Sequence, residues 1–326
     1  MNAEAPAIEA RDLTKRYGAV NAVDDLSFGV PRGSVTGFLG PNGAGKTTTM
    51  RLLLGLAAPT SGSAVVLGGP YARLDAPLRR VGAALEITGF HPGRTARDHL
   101  RIACVAGGLD VARADAVLAM TGMDSYRGTK VKTFSFGMRQ RLALAAALLG
   151  EPTVLILDEP ANGLDPAGVA WLRGFLRRFA DGGGAVLMSS HILSEVAEVA
   201  DRVVVIDRGR LVTQGSVAEL TAAAGERVFV RSPSAGELRS ALIHEGADVA
   251  EEPDGSLAVR NLPPERVGEI AAAGSIVLHE LRRETSTLED AFLRLTTPGS
   301  DPAPAAPAQP SSLPVPPSRP DAETGP

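Results

Sequence analysis

The feature that most constrains this chain is a nine-residue stretch, 40–48, with the sequence GPNGAGKTT. It fits the pattern G-x-x-x-x-G-K-[ST], in which glycines let backbone N–H groups surround phosphate oxygens. The lysine of this pattern reaches the phosphates, and the hydroxyl that follows it ligates Mg²⁺. The loop residues are Gly40, Pro41, Asn42, Gly43, Ala44, Gly45, Lys46, Thr47 and Thr48. The alternative is a chance glycine-rich turn, which four lysines in the whole chain make improbable.

The residues on either side of this loop support a phosphate site. An apolar run at 35–39 predicts a strand, and a helical pattern follows at 48–56. A strand, loop and helix in this order direct the positive end of the helix dipole at a bound anion.

Composition bounds the class of protein. The 326 residues suffice for one large domain and a smaller one. We expect no membrane span, because no run of 18 apolar residues occurs, and no signal peptide, because residues 1–11 lack an apolar core. A single cysteine, Cys104, excludes an internal disulfide and fits a reducing compartment. It lies in an apolar helical run at 100–105, where we expect it to be buried.

Charge differs between the two parts of the chain. Residues 1–220 carry 24 basic and 21 acidic side chains, a net +3, and the remainder carries 9 and 16, a net −7. An acidic C-terminal part argues against a nucleic-acid surface there.

The pattern along residues 1–220 predicts an α/β domain with a largely parallel sheet, because short apolar strands alternate with helical stretches. The clearest predicted strands are 35–39, 154–157, 185–189 and 203–206.

Residues 221–297 change character and predict a second, small α+β domain. The predicted order is βαββαβ, which is typical of a ferredoxin-like sandwich. The predicted strands are 227–231, 248–251, 257–260 and 276–282, and the predicted helices are 235–245, 264–272 and a final one at 288–295. Residues 298–326 include 10 prolines among 29 residues, so we expect a disordered tail, either a linker or a partner-binding segment.

Two carboxylates end the predicted strand at 154–157. Asp158 is suited to hold Mg²⁺ beside Thr47, and Glu159 to polarise a water that attacks the γ-phosphate. The alternative, acidic residues that merely end a strand, is weak beside a phosphate loop.

The segment 133–141, TFSFGMRQR, resembles the Leu-Ser-Gly-Gly-Gln signature of ATP-binding cassettes (ABC). Ser135 and Gly137 are retained, and the other three positions hold Phe134, Phe136 and Met138. The segment lies between the phosphate loop and the two carboxylates, as in that family. The resemblance implies that Ser135 and Gly137 bind the γ-phosphate of ATP held by an opposite subunit.

Three further matches carry the resemblance. Tyr17 resembles the aromatic residue on which adenine stacks, although a core or edge tyrosine is the alternative. Asp165, in the segment NGLD, resembles a residue that bridges subunits, and His191 resembles the histidine that contacts the γ-phosphate.

One position departs from the family, which has a glutamine between the phosphate loop and the signature. The chain has no glutamine before Gln140, and Glu86 stands at the expected place. Glu86 either ligates Mg²⁺ in place of the glutamine or is a solvated acid at the end of a strand. The whole pattern is similar to ATPase subunits of the bacitracin-resistance type, which pair with separate membrane proteins and serve drug or peptide export.

The resemblance therefore implies a P-loop NTPase cassette, with a mostly parallel sheet and a helical subdomain, over residues 1–220. It implies an ATP-hydrolysing exporter subunit that uses ATP and Mg²⁺, forms an ATP-dependent homodimer and drives a separate transmembrane permease. Such a subunit binds no nucleic acid and is cytoplasmic, peripheral on the inner face of the cell membrane. Two alternatives remain: a soluble cassette that acts on ribosomes or DNA, and a non-hydrolysing ATP-gated module. The second is disfavoured because Lys46, Asp158, Glu159 and His191 are all present.

Overall fold

A computed structural model describes residues 5–85, 89–224 and 226–285. The strands are β1 Ile8–Tyr17, β2 Val20–Val30, β3 Ser34–Leu39, β4 Ser61–Val66, β5 Val81–Ala84, β6 Val154–Leu157, β7 Ala185–Ser190, β8 Arg202–Asp207, β9 Arg210–Ser216, β10 Glu226–Arg231, β11 Asp248–Glu251, β12 Leu257–Arg260 and β13 Glu280–Thr285. The helices are α1 Lys46–Leu53, α2 Ala96–Ala106, α3 Arg113–Met120, α4 Phe136–Ala147, α5 Pro166–Asp181, α6 Leu193–Ala197, α7 Val217–Ala224, α8 Ala235–His244 and α9 Pro264–Ala273.

A six-stranded sheet with the order β5-β6-β7-β3-β8-β9 forms the centre of the first part of the chain. Its first five strands are parallel, and β9 adds an antiparallel edge to β8. Strands β3, β6 and β7 are buried along their whole length, which accounts for their continuous apolar sequences. Since parallel strands end at one edge of the sheet, the segments that follow these three strands come together there.

A second sheet, β2-β1-β4, is antiparallel and was not predicted from the sequence. It shares a core with α1 and one side of the six-stranded sheet, where Ile8, Phe28, Phe38 and Met50 are buried. Bulges interrupt the pairing of β1 with β2, so the strict alternation that announces a half-buried strand is broken. The predicted parallel sheet is therefore correct for the central sheet alone.

Helices α2, α3 and α4 pack together over the other side of the central sheet. Their core includes Leu100, Cys104, Leu118 and Leu142. Cys104 is fully buried, as expected, and burial, followed by the nearby charge of Asp110, raises the pKa of its thiol.

Residues 226–285 form a four-stranded antiparallel sheet with the order β11-β12-β10-β13. Helices α8 and α9 cover one face and enclose a core of their own, with Val230, Leu242, Val259 and Val267 at its centre. On the other face, the guanidinium of Arg282 lies 4.4 Å from the centre of the Phe229 ring.

Two elements differ from their predicted bounds by more than a residue. Strand β13 begins at Glu280 rather than at Ile276, because Ile276 and Leu278 pack on the small core before the strand starts. Helix α1 begins at Lys46, directly after the loop, and ends at Leu53. The predicted helix 288–295 and the proline-rich segment 298–326 lie outside the described residues. Among the described helices, none combines the length and apolar character that crossing a membrane requires.

Candidate active site

The phosphate loop connects β3 to α1 at the edge where the central strands end. Gly43 and Gly45 have φ angles of 82° and 105°, a region that side chains disfavour. A Cβ on Gly45 would also collide with the backbone oxygen of Ala22 on β2. The glycines of the motif therefore serve a backbone geometry that brings the start of α1 to the mouth of the loop.

Lys46 is folded back over this loop and is 7% exposed. Its Nζ donates to the backbone oxygen of Gly40 at 2.6 Å and lies 3.6 Å from Oε1 of Glu159. The arrangement holds a positive charge between the loop and the carboxylate, where a bound phosphate would meet it.

The Asp158 carboxylate accepts hydrogen bonds from two hydroxyl groups in different parts of the chain. Thr47 Oγ1 donates to its Oδ2 at 2.6 Å, and Ser189 Oγ, at the end of β7, donates to its Oδ1. A hydroxyl beside a carboxylate supplies oxygen ligands that suit Mg²⁺. The described residues contain no group of three His, Cys, Asp or Glu that could hold a metal. The Thr47 hydroxyl and the Asp158 carboxylate nevertheless fit Mg²⁺, which is commonly held by one or two carboxylates together with substrate phosphates.

Glu159 has the left-handed backbone angle φ of 49°, which is uncommon for a glutamate. Its N–H donates to Ser189 Oγ at 2.8 Å, and its carbonyl accepts from Nε2 of Gln140 at 3.1 Å. His191 Nδ1 lies 2.9 Å from its Oε2. The predicted pair of Glu159 and His191 is thus brought together, with Lys46 at the other carboxylate oxygen.

An open cleft of about 250 Å³ lies between these groups and β2. It is lined by Ala22, Pro41, Asn42, Gly43, Gly45, Lys46, Thr47, Thr48, Asp158 and Glu159. Tyr17 is half-exposed at the end of β1, with Lys15 Nζ 4.8 Å from its ring centre, so it is not a core tyrosine. Glu86 lies outside the described residues.

The signature segment forms a separate site. Ser135 caps α4 by accepting from the N–H of Met138 at 3.2 Å. Phe136, half-exposed, packs directly on Gly163, and a Cβ on Gly137 would lie 2.7 Å from the Gly163 oxygen. The third signature position can therefore hold a phenylalanine while the close approach at Gly137 is kept.

Asp165 lies beside the signature and begins α5. Its Oδ1 accepts from the N–H of Gly168 at 2.9 Å. Together with Ser135, Gly137, Met138 and Arg141 it lines a cavity of about 460 Å³. The two helix N-termini at this cavity make it a second place where an anion would be stabilised.

Sequence reasoning missed Ser189 and Gln140. Ser189 directly precedes Ser190 and His191, so its position at a strand end was a usable signal. The sequence around Gln140 contains no such signal, because its hydrogen bond to Glu159 depends on how α4 packs on the end of β6.

Comparison with known proteins decides the family. A family profile described as ABC transporter matches residues 23–162. The uncharacterized ABC transporter ATP-binding protein YhcH of Bacillus subtilis is 35% identical over 297 residues, which cover 89% of this chain and 95% of YhcH. The chain belongs to the ATP-binding proteins of ABC transporters. It is an ATPase of the cassette type, as its sequence predicted.

Other members of the family match over the cassette. The bacitracin transport ATP-binding protein BcrA of Enterococcus faecalis is 39% identical over 216 residues, 65% of this chain and 70% of BcrA. The daunorubicin/doxorubicin resistance ATP-binding protein DrrA of Streptomyces peucetius is 38% identical over 228 residues, 68% of this chain and 69% of DrrA. A second profile, described as a domain of unknown function, matches residues 226–289.

Solved structures agree on the fold of the cassette. The structure of an ATP-binding subunit of an ABC transporter superposes with a TM-score of 0.61 at 30% identity, over 67% of this chain and 93% of that one. A cassette described as dimeric, in a post-hydrolysis state with ADP and Pi, superposes with a TM-score of 0.59 at 19% identity, over 64% of this chain and 98% of that one.

Proposed function

We propose that two copies of this chain close head to tail on two ATP molecules and drive a separate permease that exports a drug or a peptide antibiotic. One observation carries the proposal. Within the described part of the chain, the phosphate-loop cleft and the signature cavity have no lining residue in common. Each is half of a nucleotide site, and a second copy supplies the missing half.

The proposed roles follow from the contacts. The loop amides and Lys46 bind the phosphates, while Thr47 and Asp158 would hold Mg²⁺, which would supply positive charge to the phosphate oxygens. Glu159 orients the attacking water, and His191 holds the Glu159 carboxylate and faces the γ-phosphate.

Five other residues have proposed roles that come from comparison with the family pattern. Tyr17 stacks on adenine, Ser135 and Gly137 receive the phosphate of the partner's ATP, and Asp165 lies at the subunit boundary. Glu86, two positions after β5, remains a proposed Mg²⁺ ligand.

Export of an antibiotic is supported by the names of BcrA and DrrA, which specify bacitracin transport and daunorubicin/doxorubicin resistance. The permease, a separate chain in this proposal, would hold the substrate path, and the ATPase would bind it from the inner face of the membrane.

We propose three parts for the chain: a cassette at 1–220, an accessory domain at 221–297 and a tail at 298–326. The order of strands and helices in 226–285, with its antiparallel sheet, supports a ferredoxin-like accessory domain. The match to YhcH extends through most of this region, so it is shared with a relative. Proline-rich composition supports a tail without a core.

The test is resistance in a drug-sensitive bacterial host that expresses the chain with its permease. We expect growth at higher concentrations of bacitracin or daunorubicin, and no gain when the chain carries Glu159→Gln. ATP-dependent association of the purified chain with membranes that hold the permease should accompany the resistance. Tight, salt-dependent binding of RNA or DNA without membrane association would overturn the exporter proposal.

A further inference from the structure

Gln140 is a polar residue that is buried among apolar side chains. It lies in the second turn of α4 and is 6% exposed, among the buried residues Leu142, Leu144 and Ala145. Burying an amide is costly unless it is hydrogen-bonded, so its partner is informative.

The partner is the backbone oxygen of Glu159, which accepts from Nε2 at 3.1 Å. A carbonyl oxygen only accepts, so this contact sets the orientation of the amide. The other amide atom, Oε1, has no hydrogen-bond partner among the described residues. A void of about 10 Å³ beside Gln140 is lined chiefly by apolar groups, including Leu157 and Trp171. The surroundings thus leave the amide one well-made hydrogen bond, and it goes to Glu159.

The hydrogen bond from Gln140 acts on the backbone of Glu159, which has an unfavourable conformation. Glu159 has a φ of 49°, and residues in this region persist only when their surroundings fix them. Ser189 binds the N–H of Glu159, and Gln140 binds its carbonyl. The two bonds hold the peptide groups on both sides of the Cα and so fix the direction of the carboxylate.

We propose that Gln140 is a positioning residue for hydrolysis, which holds the peptide of Glu159 from the helix whose N-terminus is Ser135. This rests on the proposed function, in which Ser135 receives the phosphate of the partner's ATP. One helix then bears both the closure contact and the bond that aims the base in the same chain. Among the described residues the side-chain hydrogen bond of Gln140 goes to Glu159 and not to the phosphate loop or Asp158, so Gln140 acts through Glu159.

The first test is Gln140→Met, which keeps the volume and removes the donor. We expect kcat to fall roughly tenfold, since the part-buried carbonyl of Glu159 loses its hydrogen bond. The affinity of the monomer for ATP should remain within about twofold, because the phosphate loop is untouched. Gln214→Met, on the exposed part of β9, is the matched control and should change neither value.

A second measurement separates positioning from a general disturbance of α4. In the Glu159→Gln background, adding Gln140→Met should leave the ATP-dependent dimer unchanged. If the double variant loses the dimer, Gln140 merely holds α4 and the inference fails. If Glu159→Gln alone forms no dimer with ATP, the proposed function fails instead.

Gln140→Glu provides a readout that a purely structural role would not move. Its ionised carboxylate cannot donate to the Glu159 oxygen, but its protonated form can, and burial favours the protonated form. Its activity relative to the wild type should therefore rise from about pH 8 to about pH 6, while the ratio for Gln140→Met stays flat. Wild-type kcat in Gln140→Met, or a flat ratio for Gln140→Glu, would overturn the proposal.

Discussion

At the scale of single residues, Glu159 is the most constrained side chain of the site. His191 lies at one carboxylate oxygen, Lys46 at the other, and Ser189 and Gln140 hold its peptide groups. In its proposed role as base, a carboxylate held in this way would need little reorganisation when water attacks.

Glu159→Gln should keep ATP binding and slow hydrolysis by roughly two to three orders of magnitude, or about 3–4 kcal/mol in the barrier. The amide retains the shape but cannot polarise water, so the ATP-bound dimer should accumulate. Phosphate release and size-exclusion chromatography measure the two effects. Glu237→Gln, on the exposed face of α8, is the control. Near-normal turnover in Glu159→Gln would show that another group is the base.

Ser189→Ala removes a hydroxyl that both accepts from Glu159 N–H and donates to Asp158. We expect kcat to fall roughly tenfold or more, and a higher Mg²⁺ concentration at half-maximal rate, because the metal carboxylate loses its restraint. Ser34→Ala is a matched control, since Ser34 is also buried on a central strand but its hydroxyl donates to the backbone oxygen of Pro31, away from the site. An unchanged Mg²⁺ requirement would contradict the role given to Ser189.

At the scale of elements, the sequence anticipated the parts that follow simple rules. Strand β6 matches its predicted bounds, because a run of four apolar residues that ends at two carboxylates is typical of a buried parallel strand. Strands β11 and β12 also match. The sheet β2-β1-β4 was not predicted, because bulges break the alternation of buried and exposed residues along its strands.

The candidate site divides in the same way. Motif residues such as Lys46 and Asp158 could be predicted from local spacing, and the structure places both of them at the cleft. The bonds from Ser189 and Gln140 to Glu159 join residues 30 and 19 positions apart, and only the packing of β7 and α4 brings them together.

Gly137→Ala tests the contact between α4 and the loop before α5. The added methyl group would press on the Gly163 backbone, which cannot move aside as a flexible side chain does. We expect the ATP-dependent dimer to weaken at least tenfold, measured by analytical ultracentrifugation, while ATP binding to the monomer is kept. Gly236→Ala in α8 meets no atom within 4 Å and should leave the dimer unchanged. Equal dimer affinities in the two variants would separate Gly137 from the interface.

At the scale of the whole molecule, residues 226–285 are distinguished by their own core and by an acidic composition. Since α8 and α9 pack on their own sheet, removing this region leaves the two larger cores intact.

A chain that ends at Ala224 should therefore fold, bind ATP and hydrolyse it. We expect weaker dimerisation or altered coupling to the permease, because the region is placed to act beside the cassette in the proposed assembly. Sedimentation of the ATP-bound dimer and resistance of the expressing host measure both. Deletion of 298–326 is the control and should change neither. Wild-type transport and dimer affinity after truncation at Ala224 would make the accessory region a passenger.

Separate cores also govern how the protein responds to heat. Because the core around Val230 and Leu242 is not shared with the cassette, calorimetry should resolve two transitions, a large one and a small one. Mg²⁺ and a non-hydrolysable ATP analogue, at about 100 times the dissociation constant, add about 2.7 kcal/mol to the state that binds them. That should move the large transition upward by roughly 5–10 °C and leave the small one in place. The small transition would then serve as an internal reference, against which the shift of the large one shows in the same sample whether nucleotide is bound.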